Sequence, residues 1–401
     1  MIKIGNLEID KFYLGDKSDA KIYLGDVKVW PKEEEEPETY PYAFKRVSRG
    51  GSAYTVDCNS TSSNTIGSGD TQSGLDYFDI DDSTSDKTPV SVVFGACCQT
   101  IDSDACYGWT YLSSVTISDN VTSLGGNSMF RNTPSIEHLK IGSGITQIPA
   151  NLFNNTGISA STKPDIDLSA NVGLNVADYG FYKCYFNNVI FPKNCTLSSL
   201  SFQYCSASTL SFGSGTIISK VGTYSSPFLE SKISNIDLNG VTLIGDYAFK
   251  NASGFTSITI PSSVTTFGSN AFNSVSGLNS VTIDYASNAT LKSSQFTGSS
   301  MTSLTIGSHP TSIGDSMFRK CTKLTTLVIP SNISSINGYA FDGCTGLRSI
   351  TVESTTPPTL GSNAFNSTND CPIYVPSGSI NAYKAASGWS NYKSRIKAIP
   401  T

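Results

Sequence analysis

The sequence predicts a repeat solenoid made mainly of short β-strands, with about twelve coils and a small β module in front of them. A short unit that is clearest in residues 248–268 recurs in residues 317–336 and opens again at residue 340. Within each unit, apolar and polar residues alternate as in half-buried strands. Charged residues make up only 15% of the chain, as expected for short strands and turns rich in Ser, Thr, Gly and Asn. A unit this short must stack on its neighbours to bury its apolar side.

The first 30 residues contain a smaller repeat, in which residues 9–16 are echoed by residues 20–26. Each copy alternates apolar and polar residues and ends in a Gly–Asp pair, which is typical of a tight turn between antiparallel strands. Because so short a segment buries little apolar surface, we expect it to be stable only when it docks on another protein or oligomerises. We interpret residues 1–30 as an attachment module.

Two segments separate this module from the main repeat. Residues 31–41 are rich in Glu and Pro, so we expect a linker that is stiffened by like charges. Residues 42–89 are predicted to be an irregular, β-rich cap or loop region. Within them, residues 42–47 and 53–57 have strand character, whereas residues 59–73 have the composition of a surface loop.

An acidic cluster near the end of this region has some character of a calcium loop. It lacks the Gly and the terminal Glu of an EF-hand, and a solvated turn is the preferred interpretation. The cluster consists of Asp79, Asp81, Asp82 and Asp86.

The predicted solenoid covers residues 90–372 and is marked by one phenylalanine in each unit, at intervals of 21 to 28 residues. Cys106 takes the same place in the first unit. The longest intervals indicate insertions near residues 159–164 and 220–226, which we expect to form loops on one side of the stack. The phenylalanines are Phe130, Phe153, Phe181, Phe202, Phe228, Phe249, Phe272, Phe296, Phe318, Phe341 and Phe365.

The strand of each unit has apolar residues at alternate positions, as in Ile258 and Ile260, so the intervening polar residues must face outward. At about 4.8 Å between strands, the coils would form a sheet on the order of 55 Å long with one hydroxyl-rich face. We take this face as the candidate binding surface. Its candidate residues are Ser114, Thr116, His138, Lys140, Asn235, Asp237, Ser257, Thr259, Ser280, Thr282, Ser303, Thr305, Thr326, Ser349 and Thr351.

Four of the ten cysteines share one place in the repeat, three residues after the phenylalanine: Cys184, Cys205, Cys321 and Cys344. Other units carry Ala, Thr, Val or Ser there, so we interpret the position as a small buried slot. Neighbours such as Cys321 and Cys344 would be close enough for a disulfide, and oxidation remains open. The remaining cysteines fit no metal-ligand spacing, and we expect no metal site and no cofactor.

The last segment, residues 373–401, is predicted to cover the final coil. It contains a short strand, a helix within residues 377–386 that begins at a Ser cap, and the aromatic residues Tyr383, Trp389 and Tyr392.

The unit Ala-Phe-x-x-Cys-x-x-Leu-x-x-Ile-x-Ile-Pro, seen in residues 248–268, 317–336 and 340–352, resembles the BspA-type leucine-rich repeats of bacterial surface and secreted proteins. Residues 373–376 are similar to the terminal element of that family. The resemblance covers roughly residues 90–399 and implies a leucine-rich repeat solenoid. It also implies a binding role, commonly adhesion to host proteins, glycans or other cells, without fixed ligand residues.

The two copies in residues 9–15 and 21–30 look like the openings of structural proteins from phages and prophages of gut bacteria. The segment after Met1 lacks the order of a signal peptide, so we expect no export signal. Virion proteins need none. The leading hypothesis is therefore a virion component, such as a tail fibre, head fibre or decoration protein. Residues 1–30 would dock it to another virion structural protein, and the solenoid would bind a host surface protein or glycan.

The alternative is a bacterial leucine-rich repeat adhesin, located on the cell surface or outside the cell. A homo-oligomer is possible in either case. The net charge of −5 without a Lys/Arg cluster argues against nucleic acid as a partner, and no apolar run suits membrane insertion.

Catalysis is not expected, and no catalytic residue is assigned. Asp165, Asp167 and Asp237 are isolated on predicted strand faces, and the two histidines of the chain provide no credible Ser-His-Asp arrangement. His138, Lys140 and Trp109 interrupt the hydroxyl-rich face and could anchor a ligand, although ordinary surface variation explains them more simply.

Overall fold

The computed structural model describes residues 91–94, 99–101, 106–125, 128–157, 162–219 and 226–400, together with the strand backbones that precede residue 91. The linker at residues 31–41, the acidic cluster between residues 79 and 86, and most of the insertions at residues 159–164 and 220–226 lie outside the described residues. The chain divides into two units, Met1–Tyr40 and Pro41–Thr401.

The first unit contains two antiparallel hairpins. One pairs β1 (Ile2–Ile4) with β2 (Leu7–Ile9), and the other pairs β3 (Ile22–Leu24) with β4 (Val27–Val29). Both predicted Gly–Asp turns, at residues 15–16 and 25–26, lie outside the described residues.

The second unit is a parallel β-solenoid of about 13 turns with almost no helix, which confirms the predicted fold class. Each coil contributes one strand to a long-strand series and one to a short-strand series. The long-strand series consists of β5 (Tyr42–Arg46), β6 (Ser52–Cys58), β8 (Val90–Phe94), β10 (Leu112–Ile117), β12 (His138–Lys140), β14 (Ile166–Asp167), β16 (Asn188–Phe191), β18 (Ser206–Phe212), β20 (Lys232–Asp237), β22 (Ser257–Ile260), β24 (Ser280–Ile283), β26 (Ser303–Ile306), β28 (Thr326–Ile329), β30 (Ser349–Val352), β32 (Ile373–Val375) and β33 (Ile396–Ala398). The short-strand series consists of β7 (Thr65–Ile66), β9 (Thr100–Ile101), β11 (Ser123–Leu124), β13 (Gln147–Ile148), β15 (Asn175–Val176), β17 (Thr196–Leu197), β19 (Thr216–Ile218), β21 (Val241–Ile244), β23 (Thr266–Phe267), β25 (Thr290–Leu291), β27 (Ser312–Ile313), β29 (Ser335–Ile336) and β31 (Thr359–Leu360).

Parallel pairing between equivalent residues of consecutive coils holds the stack together. Ile258, for example, lies opposite Val281, which in turn lies opposite Leu304. The antiparallel pair β5–β6 precedes the first coil. Because β6 already pairs in parallel with β8, and β7 with β9, coiling begins before residue 90, where the repeat pattern becomes visible in the sequence.

The long-strand series is not one sheet. It forms four ladders, which run from β5 to β12, from β14 to β20, from β22 to β26 and from β28 to β33. The expectation of a single continuous sheet is therefore wrong. The first break coincides with the 28-residue interval between Phe153 and Phe181, where extra residues offset one coil from the next. The other two breaks lie in units of nearly regular length and have no sign in the sequence.

The repeat phenylalanines form a continuous stack through the core. All are buried, and consecutive rings lie between 4.8 Å (Phe181–Phe202) and 5.7 Å (Phe341–Phe365) apart. The Phe249 ring is 4.9 Å from Phe228 and 5.0 Å from Phe272, and it is nearly parallel to both. Offset stacking at this distance adds attraction to the hydrophobic effect.

The turns around ten of the eleven phenylalanines follow one backbone pattern, in which the residues two before and two after the ring have positive φ; at Phe228 this is shown only for Glu230. Tyr247 (φ 58°) and Asn251 (φ 56°) flank Phe249 in this way. As a result, the amides of Tyr247, Phe249 and Asn251 donate to carbonyls of the next coil, while those of Ala248 and Lys250 close the turn within their own coil. Left-handed backbone is unfavourable for most L-residues, so these hydrogen bonds offset a local strain in every coil.

The slot three residues after the phenylalanine is buried, as predicted. Cys184, Cys205, Cys321 and Cys344 are buried free thiols. Three slot hydroxyls, those of Thr133, Ser231 and Thr368, donate to the phenylalanine carbonyl of their own turn, as Ser231 does to Phe228 at 2.8 Å. Thr156 instead donates to the Phe130 carbonyl of the preceding coil at 3.1 Å. The role of these cysteines in packing is thus confirmed.

Among the described residues, two ion pairs of a Lys or Arg with an Asp connect coils. Arg319 Nε lies 2.8 Å from Asp342 Oδ2, and the Asp342 side chain is only 11% exposed. Lys292 Nζ lies 3.0 Å from Asp246 Oδ1, with the Lys292 side chain 52% exposed.

Coils also approach closely at Gly254. It has φ +101°, and a Cβ there would lie 2.5 Å from the Ile233 carbonyl oxygen. Gly277 has a similar φ of +83°, but a Cβ there would meet no atom within 4 Å.

The last segment of the chain packs against the final coils. A 3-10 turn (Ser377–Ser379) leads into α1 (Ile380–Ala385), and a second 3-10 turn spans Trp389–Tyr392. Trp389 is buried, lies 5.8 Å from Phe365 and donates to the Pro358 carbonyl at 2.7 Å. The buried Tyr383 donates to the Ser354 carbonyl at 2.8 Å.

The N-cap residue of this helix is a serine, as predicted, but its side chain does not cap the helix. The hydroxyl of Ser379, the residue before α1, donates to the Thr355 carbonyl at 2.7 Å and makes no cap hydrogen bond. Its side chain therefore connects the helix to the preceding coil.

Candidate binding surface

The long-strand series presents its polar side chains outward, as predicted, and none of the fifteen candidate residues is buried. The exposed ones are His138, Lys140, Asn235, Asp237, Ser257, Thr259, Ser303, Thr305 and Thr326. Those at intermediate exposure are Ser114, Thr116, Ser280, Thr282, Ser349 and Thr351.

Parallel register aligns the hydroxyls in rows. Ser257, Ser280 and Ser303 are opposite one another on three neighbouring strands, and so are Thr259, Thr282 and Thr305. Neighbouring members of a row are about 4.8 Å apart along the stack. Each row of strictly paired hydroxyls ends at a ladder break.

Two apolar side chains interrupt the polar face. Ile190 is 40% exposed and Val328 is 47% exposed, both at positions where the alternation predicts an outward residue. They provide apolar contact area beside the hydroxyl rows.

The most distinctive feature of this face is a groove of about 270 Å³ at the break between β12 and β14. We call it the β12–β14 groove. It brings together the predicted candidates Thr116, His138 and Lys140 with residues that the sequence did not single out as ligand contacts. Its lining residues are Val115, Thr116, Glu137, His138, Leu139, Lys140, Thr162, Lys163 and Asp165.

One wall of the groove is held in place by Asp165. Its Oδ1 accepts hydrogen bonds from the Asn188 amide at 3.0 Å and from the side-chain amides of Asn187 (2.9 Å) and Asn188 (2.8 Å). Lys163 donates to the Gly157 carbonyl at 2.9 Å, and its ammonium lies 5.3 Å from the centre of the Tyr185 ring. These contacts position the wall before any ligand arrives.

The opposite wall carries His138 and Lys140, which pair in register with Ser114 and Thr116 of β10. Lys140 also acts on a neighbouring turn. Hydrogen bonds from the Ser143 amide and hydroxyl lower the pKa of Asp119, and the charge of Lys140 contributes in the same direction.

The carboxylates that could have served a glycosidase each belong to a local turn or wall. Asp167 accepts from the Ser169 amide at 2.9 Å, and Asp237 accepts from the Asn239 amide at 2.9 Å. Asp165 is held by the asparagines of the groove wall. These contacts are those of structural carboxylates.

Trp109 and the second histidine of the chain, His309, do not line the groove. Trp109 is partly buried and packs against the core. His309 is exposed, and its Nδ1 lies 2.9 Å from Asp284 Oδ2 in a turn between coils. The sequence missed Glu137 and Lys163 as groove residues, because neither lies at an outward position of a strand.

The family described as BspA type leucine rich repeat region matches residues 86–167, 174–299 and 289–386, in six copies. The chain belongs to this family. The resemblance of residues 1–30 to phage structural proteins has no counterpart in this match and stays a prediction.

Three solved structures illustrate what the chain is similar to. A leucine-rich repeat protein from Bacteroides ovatus ATCC 8483 has 19% identity and a TM-score of 0.34, with 91% of this chain and 100% of that chain covered. A leucine rich cell surface protein from Faecalibacterium prausnitzii A2-165 has 17% identity and a TM-score of 0.28, with coverage of 91% and 100%. The pneumococcal vaccine antigen PcpA has 12% identity and a TM-score of 0.35, with coverage of 90% and 96%.

No match was found among curated proteins. Of the helices in the described part of the chain, none has the length and apolar character needed to cross a membrane. Across the same residues, no group of three or more His, Cys, Asp or Glu side chains is placed to hold a metal ion.

Proposed function

We propose that this BspA-type protein is a non-enzymatic adhesin of a bacterial cell surface, which binds a polar host surface component, either a glycan or a protein. The observation that carries the proposal is the β12–β14 groove beside rows of outward hydroxyls. The groove supplies a concave, charged anchor, and the rows supply repeated hydrogen-bonding partners at a fixed spacing.

This arrangement suits binding through many moderate contacts. Hydroxyls donate and accept hydrogen bonds and so match sugar hydroxyls or peptide groups equally well. Lys140 would add a charge-assisted hydrogen bond at one end, and His138 would add a further polar contact. Several copies on one surface would raise the overall affinity by avidity without any change in a single site.

The non-enzymatic part of the proposal is supported by the carboxylates. Asp165, Asp167 and Asp237 each accept local hydrogen bonds that position turns or strands of the solenoid. The expectation is direct: incubation with polysaccharide will leave the chain length of the polysaccharide unchanged.

Binding is tested with labelled protein on an array of neutral and sialylated glycans and on surfaces coated with fibronectin or mucin. We expect measurable binding that falls at least tenfold in the double variant His138→Ala/Lys140→Ala. The control for the change in charge is Lys323→Ala, which removes one exposed lysine that does not line the groove. Wild-type protein that binds no probe, or a double variant that binds as well as Lys323→Ala, would refute the proposal.

The location is tested separately. We expect antibodies against the protein to detect it in the cell envelope fraction of the producing bacterium. Detection in purified virions and not in envelopes would favour the virion role predicted from residues 1–30 and would reject the cell-surface location.

A further inference from the structure

Two pairs of cysteines occupy the slot after the phenylalanine in consecutive coils. Cys184 and Cys205 are 21 residues apart in the chain, and Cys321 and Cys344 are 23 apart. The Cys184 carbonyl accepts from the Ser206 amide at 2.9 Å, so the backbones of the first pair are direct neighbours. Neighbouring parallel strands are about 4.8 Å apart, and disulfides span Cα separations of about 4.4 to 6.8 Å.

The side chains within each pair also act on each other. Burial and the neighbouring Cys205 raise the pKa of Cys184, and the neighbouring Cys344 together with burial raises that of Cys321. Each thiol points the same way along the stack, because each donates to the phenylalanine carbonyl of the preceding coil. Cys184 Sγ is 2.7 Å from the Phe153 oxygen, and Cys205 Sγ is 2.6 Å from the Phe181 oxygen.

We propose that Cys184–Cys205 and Cys321–Cys344 are two disulfide sites, which close between consecutive coils while the chain folds in the presence of a low-molecular-weight disulfide such as oxidised glutathione. A cysteine thiolate attacks one sulfur of the oxidant, and one glutathione leaves as a thiolate. The partner cysteine, after losing its proton to solvent, attacks the protein sulfur of this mixed disulfide and releases the second glutathione. The two cysteines are oxidised by two electrons, and one oxidised glutathione is reduced to two thiols.

The timing follows from burial. In the finished coil, burial raises the pKa of Cys184, and the neighbouring thiol together with burial raises that of Cys321. Thiolate is the reactive form, so the folded pairs resist oxidation, whereas the exposed cysteines of the unfolded chain do not. Cys106 and Cys195 are buried free cysteines with pKa values raised by burial alone, and they serve as internal controls.

The experiment refolds the full denatured and reduced chain, either in a glutathione redox buffer or with excess reductant. Free thiols are then alkylated under denaturing conditions, and peptides are mapped by mass spectrometry without reduction. We expect the two bridged peptides in the redox buffer only. Alkylation of all four cysteines, or their bridging to other residues, would overturn the proposal.

Stability gives a second measurement. The slot accepts alanine, as at Ala252, so Cys184→Ala/Cys205→Ala should still fold. Because closing a loop restricts the unfolded chain, the oxidised wild type should melt roughly 5 °C above this variant, and the two should differ little under reductant. An equal melting temperature in both buffers would contradict the bridge. Bridging of the folded, reduced protein as fast as of the refolding chain would contradict the timing.

Discussion

Truncation of one ring in the middle of the phenylalanine stack provides the sharpest test of how the solenoid is stabilised. Phe249 is fully buried and is stacked on Phe228 at 4.9 Å and on Phe272 at 5.0 Å. Phe→Ala substitutions in protein cores cost about 3 to 5 kcal/mol, and a stacked aromatic pair adds about 0.5 to 1.5 kcal/mol. Since Phe249→Ala leaves a cavity and removes two stacked contacts, the two terms together predict a loss of at least about 4 kcal/mol.

The same variant should reduce cooperativity. In a repeat protein each coil contacts only its neighbours, so a weak coil separates the two halves of the array. We expect urea unfolding, followed by circular dichroism, to change from one transition to two. Hydrogen exchange should accelerate first at the amides of residues 247–273.

Phe249→Leu is the matched control, because it keeps most of the buried volume and loses the ring contacts. Its expected loss is about 1 to 2 kcal/mol. A loss below about 2 kcal/mol for Phe249→Ala, or equal losses for the two variants, would show that the ring stack is not a principal source of stability.

Three further predictions concern the contacts between coils. Gly254→Ala should destabilise the protein by more than about 2 kcal/mol and Gly277→Ala by about 1 kcal/mol. Both positions need positive φ, but only the Cβ added at residue 254 meets a carbonyl oxygen. Thermal melting compares the two variants, and equal losses of stability would contradict this reasoning. Arg319→Ala should cost about 1 to 2 kcal/mol because it leaves the shielded Asp342 carboxylate without its ion pair, whereas Lys292→Ala should cost less than about 0.5 kcal/mol. Urea unfolding at low and high salt measures both losses, and a larger loss for Lys292→Ala would reject the explanation. Burial raises the pKa of Tyr383 from 10.0 to about 12, so the unfolded chain loses this proton first. The stabilisation present below pH 10 therefore declines as the pH rises towards 12. Over this interval the melting temperature of the wild type should lose its advantage over that of Tyr383→Phe, and a constant difference would contradict the prediction.

The sequence predicts the coil well where a residue type has one physical role. The apolar residues at alternate strand positions lie inside, and the cysteine slot is buried. Ile236, Leu304 and Ile306 are less buried than the pattern predicts, and they lie on β20 and β26, the strands at two ladder breaks. Inward orientation follows from alternation alone, whereas complete burial also requires that the neighbouring coil be in register.

The left-handed backbone positions beside the phenylalanines were not predicted, although the sequence contains a sign of them. Asn occurs at several positions two residues from the phenylalanine, as at Asn151 and Asn155, and Asn tolerates positive φ better than most residues. The left-handed positions could have been found from that enrichment. Tyr247 and Glu230 adopt the same conformation without any such preference, because the hydrogen bonds to the next coil impose it.

Only some residues of the β12–β14 groove could be predicted from the sequence. His138 and Lys140 follow from strand alternation, because they are outward residues of β12. Glu137 and Lys163 line the groove at the point where β14 does not pair with β12. The missing pairing depends on how two coils of unequal length pack together. Alternation within one strand contains no information on such an offset.

The hydrogen bonds around the phenylalanine have a consequence for how long a protein of this kind can be. The amides of Tyr247, Phe249 and Asn251 donate to the carbonyls of Ser269, Ala271 and Asn273, which lie one residue before the equivalent positions of the following turn. Each coil therefore presents on one side the acceptors that its own donors require on the other. Removing or adding one whole unit therefore leaves both new neighbours with complete hydrogen bonding. The reach of the molecule can change in steps of about 4.8 Å without the design of a new interface.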